Sequence, residues 1–164
     1  MVKIPWCQVY VPRSQMNKRL LLCAALLSST TLQAAQSDRF IQKVSLPSGQ
    51  TVVVEEGAYE SRSIGSFSVR LYDAAPLKDA TTFFAAGIIC ARDGTIENVV
   101  LADVDGNRRP EIIVNVRSAG TGGYISSHAF AFDKNTLILR AEVDNLPPNA
   151  DPVASLRKTI EKEK

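Results

Sequence analysis

The chain has 164 residues, with 19 Lys and Arg against 17 Asp and Glu and a formal net charge of +2. Residues 1–34 hold Lys3, Arg13, Lys18 and Arg19 and no acid, so residues 35–164 carry 15 bases against 17 acids, a net of −2. A slightly acidic folded part weakens any nucleic-acid reading, which needs a basic patch, and 45% hydrophobic with 22% charged residues excludes a disordered chain.

The first element in chain order is an export signal. Met16 opens a better one than Met1. Asn17-Lys18-Arg19 is a short basic stretch, Leu20–Leu27 an apolar run of 8 residues, and Leu32-Gln33-Ala34 before Ala35 a site for cleavage. A membrane span needs about 20 apolar residues, so the segment reads as a cleaved signal over 1–34 and not as an anchor. The remainder, 35–164, fits one domain. Cys7 and Cys23 leave with the signal. Cys90 then stands alone, without an internal disulfide, in the apolar stretch Gly87–Ala91, and reads as a small buried hydrophobe.

From residue 40 onward the pattern has period two, with turns at short intervals. Phe40–Leu46 and Thr51–Glu55 flank the turn Pro47–Gln50 and read as a hairpin. In Ser63–Tyr72, Phe67, Val69 and Leu71 face one way and Ser66, Ser68 and Arg70 the other. A loop follows over Asp73–Thr81. Phe83–Ala91 is a strand, and the turn Arg92-Asp93-Gly94, with glycine free to take positive φ, leads to Thr95–Ala102 as its expected partner. Asp103–Pro110 is a polar turn, Glu111–Arg117 a strand, Ser118–Gly123 a glycine-rich loop, and Tyr124–Phe132 and Thr136–Val143 the last two strands. About eight strands with short connections predict an all-β, compact antiparallel sandwich or barrel. After Pro147-Pro148 the period changes. Asp151 caps a short C-terminal helix with Pro152 in its first turn, and Val153, Leu156 and Ile160 form an apolar stripe that packs on the sheet. The tail Glu161–Lys164 is expected to fray.

Three stretches could carry chemistry. In Asp103–Glu111, the residues Asp103, Asp105 and Glu111 resemble part of a calcium loop and are the candidate metal ligands, for a calcium-dependent binding or adhesion module. Calcium takes six to eight oxygens, whereas the first ligand position falls on Leu101 and Arg108 and Arg109 bring positive charge. A turn between two strands therefore fits better, and no metal or other cofactor is expected. Arg117–Tyr124 contains three glycines and the hydroxyls of Ser118, Thr121 and Tyr124. It lacks the spacing of a dinucleotide fingerprint or a nucleophile elbow. It is longer than a hairpin needs, and loops of this kind on rigid scaffolds commonly carry function. His128, the sole histidine, shares strand parity with Phe130 and reads as structural. A Cys90/His128 dyad has no support in the spacing. With no catalytic motif, the chain is not expected to be an enzyme.

At this loop the chain resembles the periplasmic inhibitors of invertebrate-type (I-type) lysozyme. The resemblance runs through Arg39–Thr51, Arg62–Tyr72, Leu101–Gly106, Ser118–Tyr124 and Ala129–Asp133. It implies a periplasmic protein of a Gram-negative bacterium, a compact antiparallel β-fold, an I-type lysozyme as partner, and protection of peptidoglycan against host enzyme. It also allows a homodimer. Inhibitors of chicken-type lysozyme carry a loop ending in Gly-x-Lys-Tyr. Here Gly123 precedes Tyr124 directly, which separates the chain from that class. In the I-type family a hydroxyl three residues before a tyrosine, usually serine, and the tyrosine itself act in inhibition. Those positions are Thr121 and Tyr124. The resemblance thus implies a lysozyme-binding loop of Ser118, Gly120, Thr121, Gly122, Gly123 and Tyr124 that enters the enzyme's cleft. The charge of Arg117 suits a rim contact with an acidic group, and its place in the alternation suits a tie to the scaffold instead.

Overall fold

A computed structural model of the chain describes residues 39–76 and 81–163. The expected export signal lies outside the described residues. Among the described residues, eight strands occur in chain order: β1 (Ile41–Ser45), β2 (Thr51–Glu56), β3 (Ile64–Tyr72), β4 (Phe84–Asp93), β5 (Thr95–Ala102), β6 (Glu111–Arg117), β7 (Ile125–Asp133) and β8 (Thr136–Leu146). One helix, α1 (Pro152–Lys162), follows. The strands form two antiparallel sheets, ordered β1-β2-β3-β4 and β5-β6-β7-β8.

The sheets pack face to face because alternate residues of each are apolar. Val52 and Val54 of β2, and Phe67, Val69 and Leu71 of β3, meet Ile112, Val114 and Val116 of β6 and Phe130 of β7 in one buried cluster. The second sheet is also buried on its other face. There Ile113, Ala129 and Ala141 pack with Val104 against Leu156 and Ile160 of α1. Each of those two helix side chains contributes roughly 1.5–3 kcal/mol by leaving water. The helix starts as its sequence dictates: the Asp151 carboxylate accepts from the backbone N–H of Val153 and Ala154, and Pro152 opens the first turn. It runs two residues further than expected, to Lys162. Among the described residues no helix is long and apolar enough to cross a membrane.

One pairing expectation is overturned. Thr95–Ala102 is not the partner of β4: β4 pairs with β3 alone and β5 with β6. The chain instead passes from the first sheet to the second through Gly94, at φ 123°. A β-carbon there would lie 1.9 Å from the Arg117 carbonyl oxygen and 2.8 Å from Ser118 Cα. Arg92, only 3% exposed, holds the corner in place. Its guanidinium donates to the carbonyls of Ser61 (3.0 Å), Arg62 (2.9 Å), Ser66 (3.0 Å) and Gly94. A tight turn and a tight sheet-to-sheet corner need the same glycine, and alternation does not reveal which partner a strand takes.

His128 is structural, as its strand parity suggests. It is 6% exposed, with its ring centroid 5.3 Å from Phe67 and 6.4 Å from Phe130. Burial lowers its pKa below the ordinary histidine value, against the opposing pull of Glu142 and Asp144.

Two outcomes follow. Gly94→Ala forces both a disfavoured φ and an overlap with backbone, so it should cost roughly 3 kcal/mol or more, read by urea or thermal unfolding. For His128, the unfolded imidazole takes a proton near the ordinary histidine value of 6.5, the folded one only at lower pH. The unfolded chain therefore binds more protons in that window, and stability falls as pH drops through it. Tm measured between pH 7.5 and 5.5 should fall for the wild type and fall less steeply for His128→Gln.

Candidate functional site

The loop between β6 and β7 is built on a closed base. Arg117 and Ile125 are register partners at the ends of the two strands, and the Ser118 N–H donates to the Tyr124 carbonyl at 2.8 Å. Within the loop, Gly123 N–H donates to the Gly120 carbonyl at 3.3 Å, which places Thr121 and Gly122 at the centre of a turn. Gly120 N–H reaches the Ser118 hydroxyl at 3.3 Å. Gly123 has a φ of 58°, in the left-handed region that glycine takes at little cost. The Tyr124 ring packs against Gly122: a β-carbon on Gly122 would come within 2.4 Å of the ring. Ala119 to Gly122 are exposed, and Tyr124 is 48% exposed. The loop thus presents the Thr121 hydroxyl at its tip and a half-exposed, packed tyrosine on its flank.

Arg117 lies beneath this loop. Its Nη1 donates to the Gly123 carbonyl at 2.8 Å, and its Nη2 pairs with Glu97 Oε1 at 2.5 Å. Both ends of the guanidinium are therefore committed to the loop and the scaffold. Glu97 is the extra residue of a β-bulge between Ile96 and Asn98, and the bulge re-aims its carboxylate at Arg117. Gly94 packs beneath Arg117 and Ser118 from the other side. Sequence reasoning missed Glu97: the bulge breaks the alternation, with Ile96 and Val99 both buried three residues apart, but that break does not reveal which group the carboxylate meets. It missed the role of Arg92 because an arginine in a polar turn looks solvated.

The structure brings Asp103, Asp105 and Glu111 together, with one carboxylate oxygen of each within 4.8 Å of the others. Their oxygens already serve the loop. Asp103 accepts from the N–H of Gly106 and Arg108, each at 2.8 Å, Asp105 from Asn107, and Glu111 from Val104 at 2.8 Å. Burial pushes the Glu111 carboxyl up, reinforced by Asp105 and Asp103 and opposed by the Val104 N–H. For Asp103, partial burial acts to raise the pKa, but the N–H donors of Gly106, Arg108 and Asn107 outweigh it, aided by Arg157, and the net shift is downward. Arg157 donates twice to the Asp103 carbonyl and so fastens α1 to this turn. The cluster acts as a folded turn that seats the helix.

Cys90 is half-buried against the main core. Burial pushes its thiol up, and Glu142 adds to this. Nucleophilic pairing needs the opposite shift, toward thiolate, together with a basic histidine. Neither condition holds at Cys90 and His128.

A cleft of about 730 Å³ opens where the β1–β2, β5–β6 and β7–β8 connections meet, lined in part by Gln50, Arg109, Phe132 and Lys134. By strand direction that is the end of the sandwich opposite the Ser118–Tyr124 loop. The loop end offers a protrusion.

The model of the family described as periplasmic lysozyme inhibitor of I-type lysozyme matches residues 38–160. Among solved structures, the periplasmic lysozyme inhibitor of I-type lysozyme from Aeromonas hydrophila is 41% identical to the chain, with a TM-score of 0.68, and covers 71% of this chain and 98% of its own. The same inhibitor in complex with Meretrix lusoria lysozyme is also 41% identical, with a TM-score of 0.67, and covers 72% of this chain and 95% of its own. Among curated proteins, none matches.

The brace under the loop has a measurable consequence. Arg117→Met keeps the apolar stem and removes both bonds. Hydrogen exchange at the Ser118 and Gly123 amides should quicken about tenfold, a local loss of ~1.4 kcal/mol. Global stability should change by less than about 1 kcal/mol, since the ion pair is part-exposed.

Proposed function

The chain belongs to the family of periplasmic lysozyme inhibitors of I-type lysozyme, and from that premise we propose that it blocks its enzyme by placing the Ser118–Tyr124 loop in the active-site cleft. It is an inhibitor and not an enzyme, with an I-type lysozyme as its partner.

The observation that carries the loop assignment is its combination of exposure and internal bracing. Thr121 stands at the tip of a hydrogen-bonded turn, and Tyr124 is packed on Gly122 while half its surface faces solvent. A lysozyme cleft presents a pair of carboxyl groups flanking the path of the substrate. The hydroxyls of Ser118, Thr121 and Tyr124 can donate to those groups, and the bare backbone at Gly120, Gly122 and Gly123 lets the loop approach closely. A tyrosine loses little side-chain entropy on binding and is a frequent anchor at interface centres. Arg117 holds the loop in shape from below, and its remaining exposed edge is what it can offer the rim.

The family acts in the periplasm. We assign delivery of this chain there to residues 1–34 as a signal, cut after Ala34, leaving 35–164 as the working domain in a Gram-negative cell. Its action there is to shield peptidoglycan from host lysozyme.

Purified residues 35–164 should stop lysis of a peptidoglycan suspension by an I-type lysozyme and leave chicken-type and goose-type enzymes active. Tyr124→Ala should weaken inhibition at least tenfold, a loss of about 1.4 kcal/mol, and Thr121→Val should weaken it by a smaller factor. Full inhibition by folded Tyr124→Ala would remove the loop assignment.

A further inference from the structure

We propose that the connection between β2 and β3, residues 57–63, is a second arm of the inhibitory surface, with Tyr59 contacting the same lysozyme on the rim beside its cleft. This rests on the Ser118–Tyr124 loop being the part that enters the cleft.

The first argument is one of size. A specific protein–protein interface buries about 800 Å² per partner and uses roughly 20–30 residues a side. Seven loop residues supply only part of that, so a tight inhibitor must use its neighbours at the same end of the sandwich. The strand directions put the 57–63 connection, the Gly94 corner and the Ser118–Tyr124 loop at one end.

The second is that the two loops share one mount. Gly94 N–H donates to the Ser63 carbonyl at 2.7 Å. Arg92 binds the carbonyls of Ser61 and Arg62 in one loop and of Gly94 at the corner. Gly94 in turn packs against Arg117 and Ser118 at the base of the other loop. The positions of the two loops are therefore fixed relative to each other by backbone contacts and one buried guanidinium.

The third concerns Tyr59 itself. The arm is held by Glu60, whose carboxylate accepts from the Ser66 backbone N–H and from the Ser66 hydroxyl at 2.7 Å, and by Arg39, which donates to the Glu60 carbonyl. The Ser66 bonds hold the Glu60 carboxyl below its usual range. On this fixed arm the Tyr59 side chain is fully exposed, and Ile64, at the start of β3, is largely exposed as well. Neither serves the core. A rigidly carried, solvent-facing tyrosine next to an exposed isoleucine matches the composition of interface anchors, in which one end packs and the hydroxyl bonds. The matching surface on the lysozyme is an apolar shelf with a hydrogen-bond acceptor, beside the cleft.

The test is binding of an I-type lysozyme to the full mature domain, by surface plasmon resonance and by lysis inhibition. Tyr59→Ala leaves Glu60 and Arg92 in place and should fold as the wild type does. Affinity should fall about tenfold, mainly through faster dissociation, and Tyr59→Glu should lose more. Tyr124→Ala is measured alongside. Wild-type affinity in both Tyr59 variants, with a loss in Tyr124→Ala, would overturn the second arm and leave the loop reading standing. A loss in Tyr59→Ala with none in Tyr124→Ala would remove the loop reading and, with its premise gone, overturn the second arm as proposed. Losses in both single variants establish the two-armed surface.

Discussion

The arrangement of this protein depends on one buried cation. Arg92 lies at the end of β4, almost wholly out of water. An isolated charge in that position would cost far more than the fold can spare. It is tolerated because four backbone carbonyls, those of Ser61, Arg62, Ser66 and Gly94, surround the guanidinium, and the Glu60 carboxylate is close enough to feel its charge. Those carbonyls belong to three different pieces of chain. Satisfying the cation therefore fixes the exit of β4, the connection before β3 and the corner that leads to β5. Without that fixed corner, β4 and β5 would be free to pair as an ordinary hairpin, which their sequences permit.

The corner then determines what can be built above it. Gly94 sits directly under Arg117 and Ser118, so the base of the glycine-rich loop rests on a packed surface. Glycines are costly to order, since they lose more backbone freedom than other residues. This loop meets that cost within the free protein, through the Ser118–Tyr124 bond at its base, the turn from Gly120 to Gly123, the ring of Tyr124 on Gly122, and the arginine below. A loop already ordered before encounter loses less on binding. The same glycines that make the loop slender would make it floppy without these braces.

Much of this was legible in the sequence, and the gaps have physical causes. Alternation placed Phe67, Val69 and Leu71 in the core, and the helix at 152–162 announced itself through Asp151, Pro152 and its apolar stripe. The partner of β5 could not be read, since Gly94 satisfies a tight hairpin and a sheet-to-sheet corner equally well. Burial of β6 and β7 on both faces was also hidden: it depends on where α1 docks, and Ile113 and Ala129 meet Leu156 and Ile160 only in three dimensions. The loop was visible as three glycines and a tyrosine. Its bracing was not, because Glu97 reaches Arg117 through a bulge, and a bulge shifts register without changing composition. No motif in the sequence singles out Tyr59. Only its full exposure on a hydrogen-bonded arm sets it apart.

The two ends of the sandwich carry polar clusters of opposite design. At one end, Asp103, Asp105 and Glu111 turn their oxygens inward onto backbone N–H groups, and the outcome is a closed turn on which Arg157 seats the helix. At the other, the hydroxyls of Thr121 and Tyr124 stand on exposed residues, with no hydrogen bond within the loop from either. In a lysozyme cleft the carboxyl pair is arranged to meet a glycosidic oxygen and the sugar hydroxyls around it. A peptide loop that offers hydroxyls at its tip and flank can satisfy those carboxyls while presenting no glycosidic bond to break. The enzyme's preference for hydroxyl-rich ligands would then work for the inhibitor, and selectivity among lysozymes would fall to the surfaces around the cleft.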